Sequence, residues 1–162
     1  QNIADKYRNV IGIFMNQVMQ GKPMTIFGDG MQTRAFSYID DVAPVMARAP
    51  LIAAAYQQVF NIGADKPYTV LELARQTASA FGAEPNIQFL PPRNEVVHAF
   101  SSHAKVRHVF SPPGPMPLDE GVKRMAAWTK RRGPAVPVEF GNIEISRNLP
   151  ASWRKEPQGA AK

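Results

Sequence analysis

Apolar residues recur at helical spacing in several stretches of this chain and at strand-like spacing in others, so the pattern is one of mixed α and β elements. Val10, Ile11, Phe14, Met15, Val18 and Met19 share one face of a helix predicted over residues 9–20. Gly21 stops it and Pro23 follows, the usual order at a helix end. Residues 24–27 read as a short strand closed by the turn Gly28-Asp29-Gly30, and residues 34–39 as a second strand. Asp40 and Asp41 stand where they can cap a helix carrying Val42, Val45, Met46 and Ala49. Pro44 then falls in its first turn, where the missing N–H is not needed. A strand is expected over 58–62, ending at Gly63. Thr69 and Glu72 have capping-box spacing ahead of the clearest amphipathic run, in which Val70, Leu73, Ala74, Thr77, Ala78 and Phe81 share a face and Gly82 ends the helix. A strand over 86–90, a short helix over 102–110 and a last helix bearing Val122, Met125, Ala126 and Thr129, capped by Asp119 and closed by Gly133, complete the order. Residues 143–145 carry the pattern of one more strand, and 157–162 that of a disordered end.

Strands this short and this scattered make a poor sheet on their own. The expected fold class is therefore α/β, a small α+β domain with most of a larger sheet lying elsewhere. A length of 162 residues is enough for one domain with a core of its own.

Charge narrows the partners. Nineteen Lys and Arg against thirteen Asp and Glu give +6, which suits an anionic ligand. Part of the excess sits in Lys123-Arg124, Lys130-Arg131-Arg132 and Arg154-Lys155, runs that read most simply as solvated surface. Basic residues interleaved with aromatics, as a nucleic-acid module would show, are not found, so nucleic acid is not an expected partner. No apolar run reaches the roughly 18 residues of a membrane span, and the first residues carry no secretory pattern. Cysteine is absent, which removes disulfides and thiolate metal sites. A cytoplasmic location is expected. His98, His103 and His108 are not spaced as a metal site.

Three stretches carry a resemblance. The first is Ile26-Phe27-Gly28-Asp29-Gly30-Met31-Gln32-Thr33-Arg34-Ala35-Phe36-Ser37-Tyr38-Ile39-Asp40-Asp41-Val42-Ala43. The second joins Val59-Phe60-Asn61-Ile62-Gly63 to Tyr68-Thr69-Val70-Leu71-Glu72-Leu73-Ala74. The third is Pro91-Pro92-Arg93-Asn94-Glu95-Val96-Val97-His98-Ala99-Phe100, followed by Lys105. In order and spacing they resemble the signatures of the NAD-dependent epimerase/dehydratase family of nucleotide-sugar enzymes, the extended short-chain dehydrogenase/reductases that include UDP-glucose 4-epimerase. Two departures are plain: Ala35 stands where the family usually has Asp, and Arg93-Asn94-Glu95 is one residue shorter than the family's Arg-Pro-Gly-Glu.

The resemblance implies a UDP-sugar ligand. Arg34 and Arg93 match the arginines that grip its diphosphate, a task that suits guanidinium forks because they hold oxygens bidentately and keep their charge. Glu95 matches a carboxylate that accepts from ribose hydroxyls. Thr25 and Phe27 flank a strand whose backbone faces the base, although Phe27 can equally be core. Ile11, beside Val10, aligns with a pocket-lining loop, and Asn61 either reaches the ligand or pairs with backbone at a strand end.

The family's chemistry, hydride transfer by NAD, needs a glycine-rich turn at a helix start and a Tyr-x-x-x-Lys pair. Neither occurs: the residues four after Tyr7, Tyr38, Tyr56 and Tyr68 are Ile11, Val42, Phe60 and Glu72. No catalytic, cofactor-binding or metal-binding residue is therefore assigned in this chain. The expectation is a carboxy-terminal portion of an extended short-chain dehydrogenase fold, without most of the doubly wound Rossmann sheet. Residues 1–133 form the substrate-binding portion, 58–82 pack as the last strand and helix of a missing amino-terminal NAD domain, and 134–162 are an extension. The helices starting near 41 and 69 would then leave apolar faces exposed in this chain alone. A 4-epimerase is the reading favoured; a 4,6-dehydratase, decarboxylase or reductase stays open, as does homodimerisation of the longer protein. The rival from another class is a non-enzymatic basic module that binds nucleic acid or protein.

Overall fold

A computed structural model of the protein describes residues 2–6 and 8–137. The expected strand at 143–145 and the end at 157–162 lie outside the described residues. Helix α1 (Val10–Met19) buries Phe14 and Met15, and strand β1 (Met24–Phe27) alternates so that Met24 and Ile26 enter the core while Thr25 and Phe27 turn the other way. Strand β2 (Thr33–Ala35) follows, then helix α2 (Ile39–Arg48) and two 3-10 turns, Ala49–Leu51 and Ala53–Ala55. Strand β3 (Pro67–Thr69) runs directly into helix α3 (Val70–Phe81). Strands β4 (Ile87–Leu90) and β5 (His98–Ala99) precede helices α4 (Ala104–Phe110) and α5 (Leu118–Arg132).

The described strands form two small sheets. In one, β1 pairs parallel with β4, Met24 opposite Ile87 and Phe27 opposite Leu90. In the other the order is β3-β2-β5, with β2 antiparallel to β3 and parallel to β5.

Two apolar clusters hold these elements. The larger joins α1, β1, α3 and α5 through Phe14, Met15, Met24, Ile26, Leu73, Ala74, Ala78, Val122 and Ala126. Alanines at 74, 78 and 126 let the helices come close, and buried Thr77 and Thr129 return their hydroxyls to the carbonyls of Leu73 (2.9 Å) and Ala126 (3.0 Å). Buried Asn16 is also satisfied: its amide donates to the Ala135 carbonyl and accepts from the Ala135 N–H, both at 2.9 Å. That pair straps the segment after α5 across α1. The smaller cluster, Val45, Val106 and Phe110 with Phe60 and Ile62 beside them, holds α2 and α4 together.

Several expectations change. Strand β2 is shorter than 34–39, and residue 39 opens α2. Ser37 leaves the strand because its hydroxyl accepts from the Ala64 N–H at 3.0 Å. Tyr38 takes the N-cap position, so Asp40 and Asp41 lie in the first turn, and Asp41 accepts from the Met116 N–H at 2.9 Å. Pro44 is consequently inside α2, past the first turn, and denies the Asp40 carbonyl its helical donor. Asp119 likewise sits in the first turn of α5 behind Pro117. No strand forms over 58–62, because no described strand runs alongside it; the Lys105 ammonium donates to Gln58 (2.8 Å) and to the Val59 carbonyl (3.0 Å) instead. Strand β3 lies outside the pattern-based expectation, its proline being tolerated at the first position of an edge strand.

The helix from 69 departs most from expectation. Its apolar face is not left open: Leu73, Ala74, Thr77 and Ala78 are buried against α1, β1 and α5 of this same chain. The helix near 41 meets the expectation, with Ile39 63% and Met46 61% exposed. No helix among the described residues is long and apolar enough to cross a membrane.

The capping box of α3 is complete: the Glu72 N–H donates to Thr69 Oγ1 (3.0 Å), and the Thr69 N–H donates to the Glu72 carboxylate (2.7 Å). Those Thr69 donors, backbone N–H first and hydroxyl second, hold the Glu72 carboxyl below its ordinary range. A depressed carboxyl stabilises the fold above its unfolded pKa and loses that contribution as pH falls through the folded value. Thr69→Ala is expected to cost about 1 kcal/mol in urea unfolding at pH 7, with the gap from wild type narrowing as pH falls below the usual glutamate range.

Candidate functional site

The parallel pairings decide where the chemistry-bearing side chains go. The connection between β4 and β5 starts beside the end of β1 and finishes beside β2. Its first anchor is the Gly28 N–H donating to the Leu90 carbonyl (3.0 Å), and its last is the Thr33 N–H donating to the Val97 carbonyl (2.9 Å). Held at both ends, it brings Arg93 and Glu95 to the side of Phe27 and Arg34. The Gly28-Asp29-Gly30 turn has φ +74° and +78° at its glycines, and a Cβ on Gly30 would stand 3.2 Å from Leu71 Cβ. Glycine is thus required at 30 for both its conformation and its space. Asp29 closes the turn by accepting from the Met31 N–H at 2.9 Å.

These elements enclose a cavity of about 680 Å³ between α1, β1, β2 and the 91–97 connection. Of the residues singled out from sequence, Thr25, Phe27, Arg34, Arg93 and Glu95 line it. Two do not. Ile11 points into the main core, while Val10 and Ile13 reach the cavity in its place because the helix turns by about 100° per residue. Asn61 is exposed, away from the cavity, on a segment that forms no strand.

Inside the cavity the charges meet at one point. Arg34 Nη2 and Arg93 Nη2 each lie 3.6 Å from the same oxygen of Glu95, Oε2. Arg34 is steadied by donating to the carbonyls of Thr33 (2.8 Å) and Val97 (3.1 Å). The Arg93 guanidinium stacks 3.8 Å from the centre of the Phe27 ring, a cation–π contact that fixes its plane. Arg93 Nε is buried and has no hydrogen-bond partner among the described residues. A buried donor left over in this way is costly unless something else accepts from it.

Two glutamines not singled out from the sequence also hold the site. Gln17 answers Thr25 on both sides, its Oε1 accepting from the Thr25 N–H (3.2 Å) and its Nε2 donating to Thr25 Oγ1 (3.0 Å). Gln32 donates to the Phe27 carbonyl (3.0 Å) and to Glu95 Oε1 (3.4 Å). The signal for Gln17 is its place on α1, one helical turn from Ile13 and on the face opposite Met15. The signal for Gln32 is its position inside the first motif.

Two of the three histidines make local structural contacts. His98 Nδ1 pairs with Thr33 Oγ1 at 2.8 Å across the β2–β5 ladder. His103 is buried and joins Asp65 (2.8 Å) to Ser101 (3.1 Å), with Arg107 also paired to Asp65. No cluster among the described residues could hold a metal ion. Strand β3 enters α3 through Thr69 and its capping box, with no glycine at the turn.

The comparisons with known proteins agree with this architecture. The family model for the NAD dependent epimerase/dehydratase family matches residues 2–63. A putative UDP-glucose 4-epimerase of Methanocaldococcus jannaschii is 32% identical over 122 residues, 75% of this chain and 39% of its own. UDP-glucuronic acid decarboxylase 1 of Danio rerio is 28% identical over 123 residues, 75% of this chain and 29% of its own. Among solved structures, the UDP-glucose 4-epimerase of Thermotoga maritima with UDP-glucose superposes with a TM-score of 0.67 at 27% identity, covering 80% of this chain and 42% of that one. In sequence the chain is similar to members of the NAD-dependent epimerase/dehydratase family, and its fold is that of part of an extended short-chain dehydrogenase epimerase. It spans about two fifths or less of the length of these relatives.

The His103–Asp65 clasp ties the 63–65 loop to the start of α4. The hydrogen bond from His103, with Arg107 adding its charge, holds the Asp65 carboxyl below its usual range. Its contribution is therefore present above the ordinary aspartate pKa and lost as pH falls through the lowered one. Asp65→Asn is expected to lower the melting temperature at pH 7, and the difference from wild type is expected to vanish in strongly acid buffer; an equal difference at every pH would argue against the clasp.

Proposed function

We propose that this chain is the part of an NAD-dependent nucleotide-sugar 4-epimerase that holds the UDP-sugar, with Arg34 and Arg93 gripping the diphosphate. The observation that carries this reading is the pair of arginines brought together in a cavity of about 680 Å³, one of them with a buried Nε that lacks an acceptor among the described residues. Phosphate oxygens are acceptors with the charge and geometry a guanidinium fork takes best. Glu95 is the carboxylate that would take ribose hydroxyls, and the strand carrying Thr25 and Phe27 borders the space left for the base. The family and the UDP-glucose named with the Thermotoga maritima structure support the same ligand class.

The hydride chemistry is assigned to no residue of this chain. NAD and a tyrosine–lysine pair belong, on this reading, to a longer protein, in keeping with relatives of which this sequence spans about two fifths or less. What this segment does is bind and orient. It fixes the two phosphates, and the sugar is thereby presented in one pose to whatever performs the reaction.

Titration calorimetry with UDP tests the assignment. Saturable binding is expected, weakened roughly 10-fold or more by Arg34→Ala and again by Arg93→Ala, since each removes charge-assisted hydrogen bonds. Absence of UDP binding together with tight, salt-steep binding of duplex DNA would overturn the reading in favour of a basic nucleic-acid module.

A further inference from the structure

The ion triplet Arg34–Glu95–Arg93 puts a negative group in the place where the proposed ligand would bring its own. Both guanidinium groups converge on one oxygen, Glu95 Oε2, at 3.6 Å each, and the second oxygen is held by Gln32 Nε2 at 3.4 Å. All three charged side chains are partly exposed in the cavity, at 26%, 25% and 32%. Two cations facing one another without an anion would repel, and the carboxylate offsets that repulsion. A diphosphate entering the cavity brings more charge than Glu95 carries, and it addresses the same donors. Both cannot hold the arginines at once without setting the carboxylate against the phosphates.

We propose that Glu95 is an internal counter-ion, seated between Arg34 and Arg93 until an incoming diphosphate displaces it. This rests on the nucleotide-sugar reading for its ligand class and adds to it a competition. The carboxylate keeps the arginine pair ordered and neutralised before the exchange, and anions that offer nothing to the freed carboxylate bind weakly. Specificity follows from that exchange. Bare diphosphate must evict Glu95 without compensation, whereas a nucleotide can meet the carboxylate with hydroxyl donors of its own. The Gln32 amide, bonded at 3.0 Å to the Phe27 carbonyl, sets the position from which Glu95 swings.

The test is a pair of titrations, inorganic pyrophosphate and UDP, into the full chain and into its Glu95→Gln variant at low ionic strength. Glu95→Gln keeps the side-chain shape and an acceptor oxygen while removing the charge. Pyrophosphate affinity is expected to rise roughly 3- to 10-fold in the variant, the range set by losing two partly exposed ion pairs as competitors. UDP affinity is expected to gain less than pyrophosphate does, so the preference for UDP over pyrophosphate narrows. Raising salt should shrink the difference between the two proteins. Pyrophosphate binding that is unchanged or weaker in Glu95→Gln, while wild type binds UDP, overturns the counter-ion and leaves the nucleotide reading standing. Binding of pyrophosphate that tightens in the variant with no UDP binding by either protein keeps the counter-ion and overturns the nucleotide reading. If neither protein binds either probe, both fail. Gln32→Ala serves as a second variant should Glu95→Gln unfold: it frees Glu95 from one restraint, and a change in pyrophosphate affinity is the expected result, with none counting against the proposal.

Discussion

The site depends on one constraint: the segment from 91 to 97 is fastened at both ends by parallel strand pairing. Strand β4 lies along β1, and β5 lies along β2. Parallel neighbours require a long crossover between them, and here helices α1 and α3 supply the floor on which the β1–β4 pair rests. Because β1 and β2 are separated only by the glycine turn, fastening the later segment to both leaves its middle no freedom to point elsewhere. Arg93 and Glu95 are thereby delivered to Phe27 and Arg34 across about sixty positions of sequence without any contact that links them directly along the chain. The backbone arrangement comes first, and the ionic contacts are its consequence.

Energetically the structure is uneven. The main core is built from interlocked helices with small residues at their crossings and satisfied buried hydroxyls, so its cohesion comes from apolar burial. The region of α2, residues 49–62 and α4 rests on far fewer buried residues. It leaves Ile39, Met46, Leu51, Tyr56 and Val59 in solvent, and it is stitched by polar contacts such as Lys105 to Gln58 and His103 to Asp65. Local stability follows buried contact, so the 39–62 region should open before the helical core does. Arg34, Arg93 and Glu95 line a cavity walled in part by Phe14, Ile26 and Val70 of the main core.

How much of the molecule is legible in the sequence depends on whether a signal is local. Helices α1, α3 and α5 and strands β1 and β4 can be read from period and stop signals, and the Thr69–Glu72 capping box is visible within four consecutive positions. The cavity can be anticipated only through resemblance, since nothing local to Arg34 or Arg93 says that they meet. What fails are assignments that depend on neighbours. Residues 58–62 have strand-forming side chains, but a strand exists by pairing and no described strand runs beside them. Alignment to a loop puts Ile11 in the cavity, yet one residue of helix turns it through about 100° into the core. The resemblance leads one to expect the apolar face of the helix from 69 to be exposed in this chain, but that face is buried against α1 and α5. Asp40, Asp41 and Asp119 each miss the cap by a few residues at most, close to the margin within which helix starts are hard to place.

The strap made by Asn16 has a geometric outcome of its own. By holding Ala135 with two hydrogen bonds of 2.9 Å, it carries the chain past the end of α5 and lays Pro137 on the cavity wall beside Gln17 and Gln20. Position 137, the last of the described residues, is thereby held against the cavity. A reporter group attached at position 137 would sense occupancy of the cavity directly from its wall.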